Sequence, residues 1–153
     1  MAITQAMSTL FKKDLLLGDH HLDTDVIMIA LYTSSATLNA TTDGYITSGQ
    51  VANGNGYTTT GVALASKAVT EDTNSGSTTA GSGIFDADDP QWTSATFTAR
   101  GALIYNKTLG DATSNARGAI AVLDFGGDFS VSGGTFRIVF PAATRNTAIV
   151  RID

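Results

Sequence analysis

The chain has 153 residues, the size of one domain and enough to bury a substantial core. Only 15% of them are charged, the net charge is −5, and lysine and arginine never form a run, so the cationic surface on which nucleic-acid affinity depends is missing. The absence of cysteine excludes disulfides, thiol nucleophiles and zinc–thiolate sites, and no stretch of about eighteen apolar residues is available to span a membrane.

One segment reads as helix. Met7, Leu10, Phe11 and Leu15 recur at three- and four-residue spacing, with Thr4 as N-cap and Gly18 as the stop. Residues 1–18 are therefore expected as an N-terminal helical segment and 19–153 as a single β domain. Lys12, Lys13 and Asp14 interrupt the apolar residues, which is unlike a secretory signal. Residues 26–32 are apolar at every position, the pattern of a central strand covered on both faces. Weaker strands follow at 56–65 and 66–70, and the low-complexity stretch 71–83 reads as a loop.

Residues 93–106 carry a long β pattern broken at Gly101, where a bulge or a close backbone approach is expected. Residues 107–116 read as a loop. It separates two Ala-Arg-Gly-Ala segments, at 99–102 and 116–119, which are expected to share a local conformation in paired strands. Strands at 118–125, 135–140 and 148–152 complete the set. Phe136, Ile138 and Phe140 alternate with Thr135, Arg137 and Val139, as a half-buried strand requires. Gly126-Gly127 and Gly133-Gly134 read as turns. Seven or eight short strands with glycine-rich turns predict a mainly all-β fold: an antiparallel β-sandwich or jelly-roll-like domain with one N-terminal α-helix.

The densest group of possible ligands is Asp19-His20-His21-Leu22-Asp23-Thr24-Asp25. Imidazole and carboxylate together can hold a divalent metal, which makes His20, His21 and Asp23 candidates, with Asp86 and Asp88 a second, calcium-like group. The spacing fits no established site. A solvated loop, mildly pH-sensitive near pH 6, accounts for the first group, and a turn before Pro90 accounts for the second. No metal and no cofactor is expected. Glu71 is the single glutamate and a Gly-x-Ser-x-Gly elbow is missing, so no catalytic residue is assigned and a non-enzymatic role is expected. Trp92 is a candidate ring for stacking on carbohydrate, weighed against a place in the core.

Several blocks occur together in a fixed order: Ser8-Thr9-Leu10-Phe11-Lys12; the strand from Ile29 through Leu38; the loop ending Gly56-Tyr57-Thr58; the block from Trp92 to Ala99-Arg100-Gly101-Ala102-Leu103-Ile104-Tyr105-Asn106; Ala121-Val122-Leu123-Asp124-Phe125-Gly126-Gly127; and the closing segments at 136–141 and 148–152. Together they resemble small virion structural proteins of tailed bacteriophages of marine or freshwater hosts, of the decoration or cement type. The resemblance implies a capsid decoration protein on the outer shell. Its partners would be the major capsid protein and further copies of itself, as a trimer, and its role would be to stabilise the shell by bridging capsid subunits. A tail, baseplate or fibre component is one alternative, and a carbohydrate-binding module on the virion surface is another. An uncharged Thr/Ser/Asn surface loses less hydration on burial against protein than a charged one. Ile3, Met7, Leu10 and Phe11 of the amphipathic N-terminal segment are the residues expected to reach onto a partner, with packing across the chain's own core as the alternative.

Overall fold

Aliphatic side chains at consecutive positions form the centre of the molecule. A computed structural model describes residues 2–72, 81–144 and 146–153, with the side chain of residue 72 excepted. In it the strand Ile27–Tyr32 is buried along its whole length. Ile27, Ile29 and Leu31 enter one apolar core, while Met28, Ala30 and Tyr32 enter a second on the opposite face. Alternation along a strand puts successive side chains on opposite sides, so an all-apolar run needs two covers. It has both.

The described elements run β1 (Ala6–Met7), α1 (Thr9–Leu17), β2 (Ile27–Tyr32), β3 (Val62–Ala63), β4 (Ala68–Asp72), β5 (Ser82–Asp86), β6 (Gln91–Asn106), α2 (Lys107–Ala112), β7 (Ala119–Arg137) and β8 (Val150–Ile152). One sheet has five strands in the order β1-β7-β6-β2-β3, and the other has three in the order β4-β5-β8. All the pairings between these strands are antiparallel. Phe85 of β5 and Val150 of β8 join the same core as Ile27, Ile29 and Leu31, which gives a sandwich-like layout. The fold is mainly β, with antiparallel sheets and an N-terminal helix.

The helix begins later than the apolar spacing suggests. Ala6 and Met7 are paired with Val122 and Ala121 as β1, so the chain is extended until Ser8. Ser8, not Thr4, is the N-cap, and its Oγ accepts from the Phe11 N–H at 3.4 Å. The far end follows expectation. Gly18 adopts the left-handed conformation and the Asp19 N–H donates back to the Asp14 carbonyl at 2.9 Å.

β6 and β7 pair from Tyr105↔Ala119 to Gln91↔Arg137. Where the sequence suggests a strand, a turn and another strand, β7 continues for 19 residues. Gly126 and Gly133 take φ of +77° and +62° inside it, which lets the ladder resume after each irregularity. The expected glycine turns are bulge-like interruptions of one strand. The expected strand at 135–140 contributes to β7 only as far as Arg137, although Ile138 and Phe140 beyond it are still buried.

Gly101 behaves as expected. The register shifts beside it, and a Cβ there would lie 2.5 Å from the Leu123 carbonyl oxygen. The two Ala-Arg-Gly-Ala segments do not share a conformation. Gly101 pairs with Asp124 inside β6, whereas Gly118 precedes β7 with φ of +114°. The connection expected as a loop at 107–116 contains α2, capped by Asn106.

The expected strand at 56–65 shrinks to β3, and that at 66–70 becomes β4. β5 falls at the end of the stretch expected as a loop, of which residues 73–80 lie outside those described. Between β2 and β3 the chain is irregular and is tied down by tyrosine hydroxyls. Tyr57 Oη accepts from the Leu31 N–H at 3.0 Å and from Gln50 Nε2 at 2.8 Å. Tyr32 donates to the Ile46 carbonyl at 2.6 Å, and Tyr105 donates to that of Thr60 at 2.8 Å. Burial raises the pKa of all three of these tyrosines, so each remains a neutral phenol.

Candidate functional site

Two features stand apart from the ordinary core. The first is an apolar face on β7. Phe125, Phe129 and Phe136 form a chain of ring contacts, with centroids 6.3 Å apart for Phe125–Phe129 and 6.1 Å for Phe125–Phe136. With Arg137, Ile138 and Val139 they line a shallow groove of about 310 Å³. A neighbouring groove of about 230 Å³ shares Phe125, Ile138 and Val139 and continues past Pro141 to Ile149. Phe129 is 53% exposed and Val139 73%. A contiguous apolar surface of this kind marks a contact face far more often than a scattered exposed leucine does.

Two constraints hold the face in shape. Asp89 bonds to Arg137 Nη2 at 2.7 Å and accepts the Phe140 N–H at 2.8 Å, which fixes the segment leaving β7. That backbone bond, with Arg137 beside it, lowers the Asp89 pKa. β1 covers β7 only at Ala121 and Val122, so among the described residues no strand flanks its outer edge from Leu123 onward. An open strand edge is itself a template for association.

The second feature is a polar cluster where α1, the loop after it and the start of α2 meet. Asp14 on α1 is fully buried. Arg117, 103 residues away in the chain, donates from Nε to Asp14 Oδ2 at 2.9 Å and places Nη2 2.6 Å from Oδ1. The same guanidinium pairs with Asp19. Hydrogen bonds to these two carboxylates raise the Arg117 pKa further above its ordinary value. Beside them His20 is only 7% exposed, its ring meeting Phe11 edge to face at 4.8 Å. Asn106 Nδ2 lies 2.6 Å from Asp25 Oδ2 and 3.2 Å from His20 Nδ1. Burial lowers the His20 pKa, and Arg117 works in the same direction, against the carboxylates of Asp14, Asp25 and Asp19.

The solvated loop expected around His20 is corrected on this point: His20 is an interior group, while His21 and Asp23 face solvent. The five candidate metal ligands do not converge. Asp86 lies in β5, and Asp88 accepts from the Ser66 hydroxyl at 2.6 Å. Among the described residues no group of three His, Asp or Glu side chains could hold a metal ion. Trp92 is 3% exposed and packs between Tyr57 and Phe136, so it offers no open ring face to a sugar.

Ile3 and Phe11, expected to reach onto a partner, are buried in the chain's own two cores, and Met7 and Leu10 are half-buried. The apolar residues that α1 leaves in the open are Leu16, at 89% exposure, and Leu17.

Simple alternation does not reveal the phenylalanine face. Phe129 and Phe136 differ in parity, yet Ala95 to Phe97 takes two steps on β6 while Gly134 to Val131 takes three on β7. The extra residue turns Phe136 onto the side that Phe129 uses. The legible signal is the glycine pair at two of the irregularities, Gly126-Gly127 and Gly133-Gly134. The chain matches no protein-family model, no curated protein and no solved structure.

Proposed function

We propose that this chain is a non-enzymatic structural protein of a tailed-phage particle. It would act as a capsid decoration protein, bridging major capsid protein subunits on the outer shell and associating with copies of itself. The observation that supports a packing role is the contiguous apolar face of Phe125, Phe129, Phe136 and Val139, beside an edge of β7 that no strand flanks among the described residues. The placement on a phage head rests on the sequence resemblance. The face also moves the expected contact away from the N-terminal segment, whose largest apolar residue, Phe11, is committed to the core.

The test is binding of purified protein to particles that lack it. Phe129→Asp puts a charge on the exposed part of the face, and a buried aromatic anchor of an interface is worth about 2 kcal/mol or more, so affinity is expected to fall at least about 30-fold. Because Phe129 is half exposed, thermal melting of the free variant is expected to stay close to the parent. Unchanged binding would remove the face from the interface. Copy number in purified particles then separates the locations: hundreds of copies support the shell, and a handful supports the tail, baseplate or fibre reading.

A further inference from the structure

The hydrogen-bond orientation of Asn106 dictates the protonation state of His20. Asn106 is the N-cap of α2, and its Oδ1 accepts the Leu109 N–H at 3.0 Å. Its Nδ2 points at the Asp25 carboxylate at 2.6 Å. A backbone N–H can only donate and an ionised carboxylate can only accept, so the amide has one possible orientation. Nδ2 therefore presents hydrogen to His20 Nδ1, 3.2 Å away, and that nitrogen must supply a lone pair. The ring proton then belongs on Nε2, which is buried without a partner among the described residues.

We propose that His20 and Asn106 form a proton-operated latch that holds the loop after α1 onto the start of α2 at neutral pH and releases it on acidification. A proton added to Nδ1 would point an N–H at the N–H of Asn106. Turning the amide to accept it would uncap α2 and set the amide oxygen against the Asp25 carboxylate. Neither arrangement keeps both bonds.

The groups facing His20 do not rescue the cation. From α1 come the Asp14 carboxylate and the ring of Phe11, and Asp14 is already held by Arg117. From the loop come Asp19, also paired with Arg117, and Asp25, whose Oδ2 accepts both Asn106 Nδ2 and the His21 N–H at 3.0 Å. From the segment before β7 comes Arg117 itself, a like charge to a protonated imidazole. Burial adds to this by disfavouring the charged ring.

The sign follows. His20 binds its proton less readily in the closed protein than in the open one, so the latch contributes fully above its ordinary value of 6.5 and loses strength as the pH falls below that. Between the two values the open population is expected to rise by up to about tenfold per pH unit.

Nuclear magnetic resonance on the intact chain tests this directly. At pH 7.5 the His20 ring is expected as the Nε2–H tautomer, and its titration is expected below 6.5. Amide exchange at Leu109 and His21, corrected for intrinsic chemistry, is expected to accelerate between pH 6.5 and 5, while amides of β2 stay protected. Asn106→Asp replaces the facing donor with an acceptor and should move the His20 titration above 6.5. An Nδ1–H tautomer, a titration at or above 6.5 in the parent protein, or exchange at Leu109 and His21 that does not respond to pH would each overturn the proposal.

Discussion

Phe11→Ala is expected to lose about 3–5 kcal/mol of stability, the range for a large aromatic side chain removed from a well-packed core. For a chain of this length that is a fall in Tm of roughly 6–20 °C, since each kcal/mol shifts it about 2–4 °C. Phe11 is 1% exposed and joins the core that also holds Ile27, Ile29 and Leu31. α1 is nine residues long, too short to persist alone, so its place depends on Phe11, the Ser8 cap and the Asp14–Arg117 pair. Leu16→Ala on the open side of the same helix is expected to change stability by no more than about 0.5 kcal/mol. Chemical denaturation of the two variants checks both values. If Phe11→Ala unfolds like the parent, the helix is free of the core and available to a partner after all.

Gly61→Ala is expected to cost roughly 2–5 kcal/mol, combining about 1–2 for a left-handed backbone and about 1–3 for overpacking. Gly61 has φ of +81°, and a Cβ there would lie 1.8 Å from the Ile29 carbonyl oxygen and 2.8 Å from the Ala30 Cα. Both contacts are backbone of the interior strand β2 and cannot swing away. The chain would have to withdraw from β2, pulling apart the Ile29↔Val62 pairing and the Tyr105–Thr60 bond. Gly54→Ala provides the comparison. Its φ is +104° but nothing lies within 4 Å, so only the backbone strain is expected. Thermal melts in which the two variants fall equally would show that crowding against β2 does not matter.

These two positions mark the boundary of what the sequence discloses. The strand at 27–32 is legible because a short, unbroken apolar stretch rich in β-branched residues is stable only between two apolar covers, although Val26, expected in it, lies outside and is exposed. Gly18 and Gly101 are legible because each punctuates a clear pattern. Thr4 misleads, since the competing claim on Ala6 and Met7 comes from Val122 and Ala121 far along the chain. His20 and Asp14 are not legible as buried groups for the same reason: their partners Asn106 and Arg117 are remote. Local propensity places polar residues in solvent, and only tertiary contacts overrule it. The phenylalanine face is hidden by arithmetic, because the irregularities of β7 change which residues share a side.

The distance between Asp14 and Arg117 also orders events in the life of the chain. β1 and α1 are synthesised before Arg117 and Ile120 to Val122, residues they dock against about a hundred positions later. At about 5–20 residues per second, the helix waits roughly 5–20 seconds for its seat to be made. Until then Asp14 lacks the guanidinium that pairs with it. This helix, translated well before Arg117, is among the last elements that can close, and a nascent chain interrupted before residue 117 would carry it without its ion-pair partner.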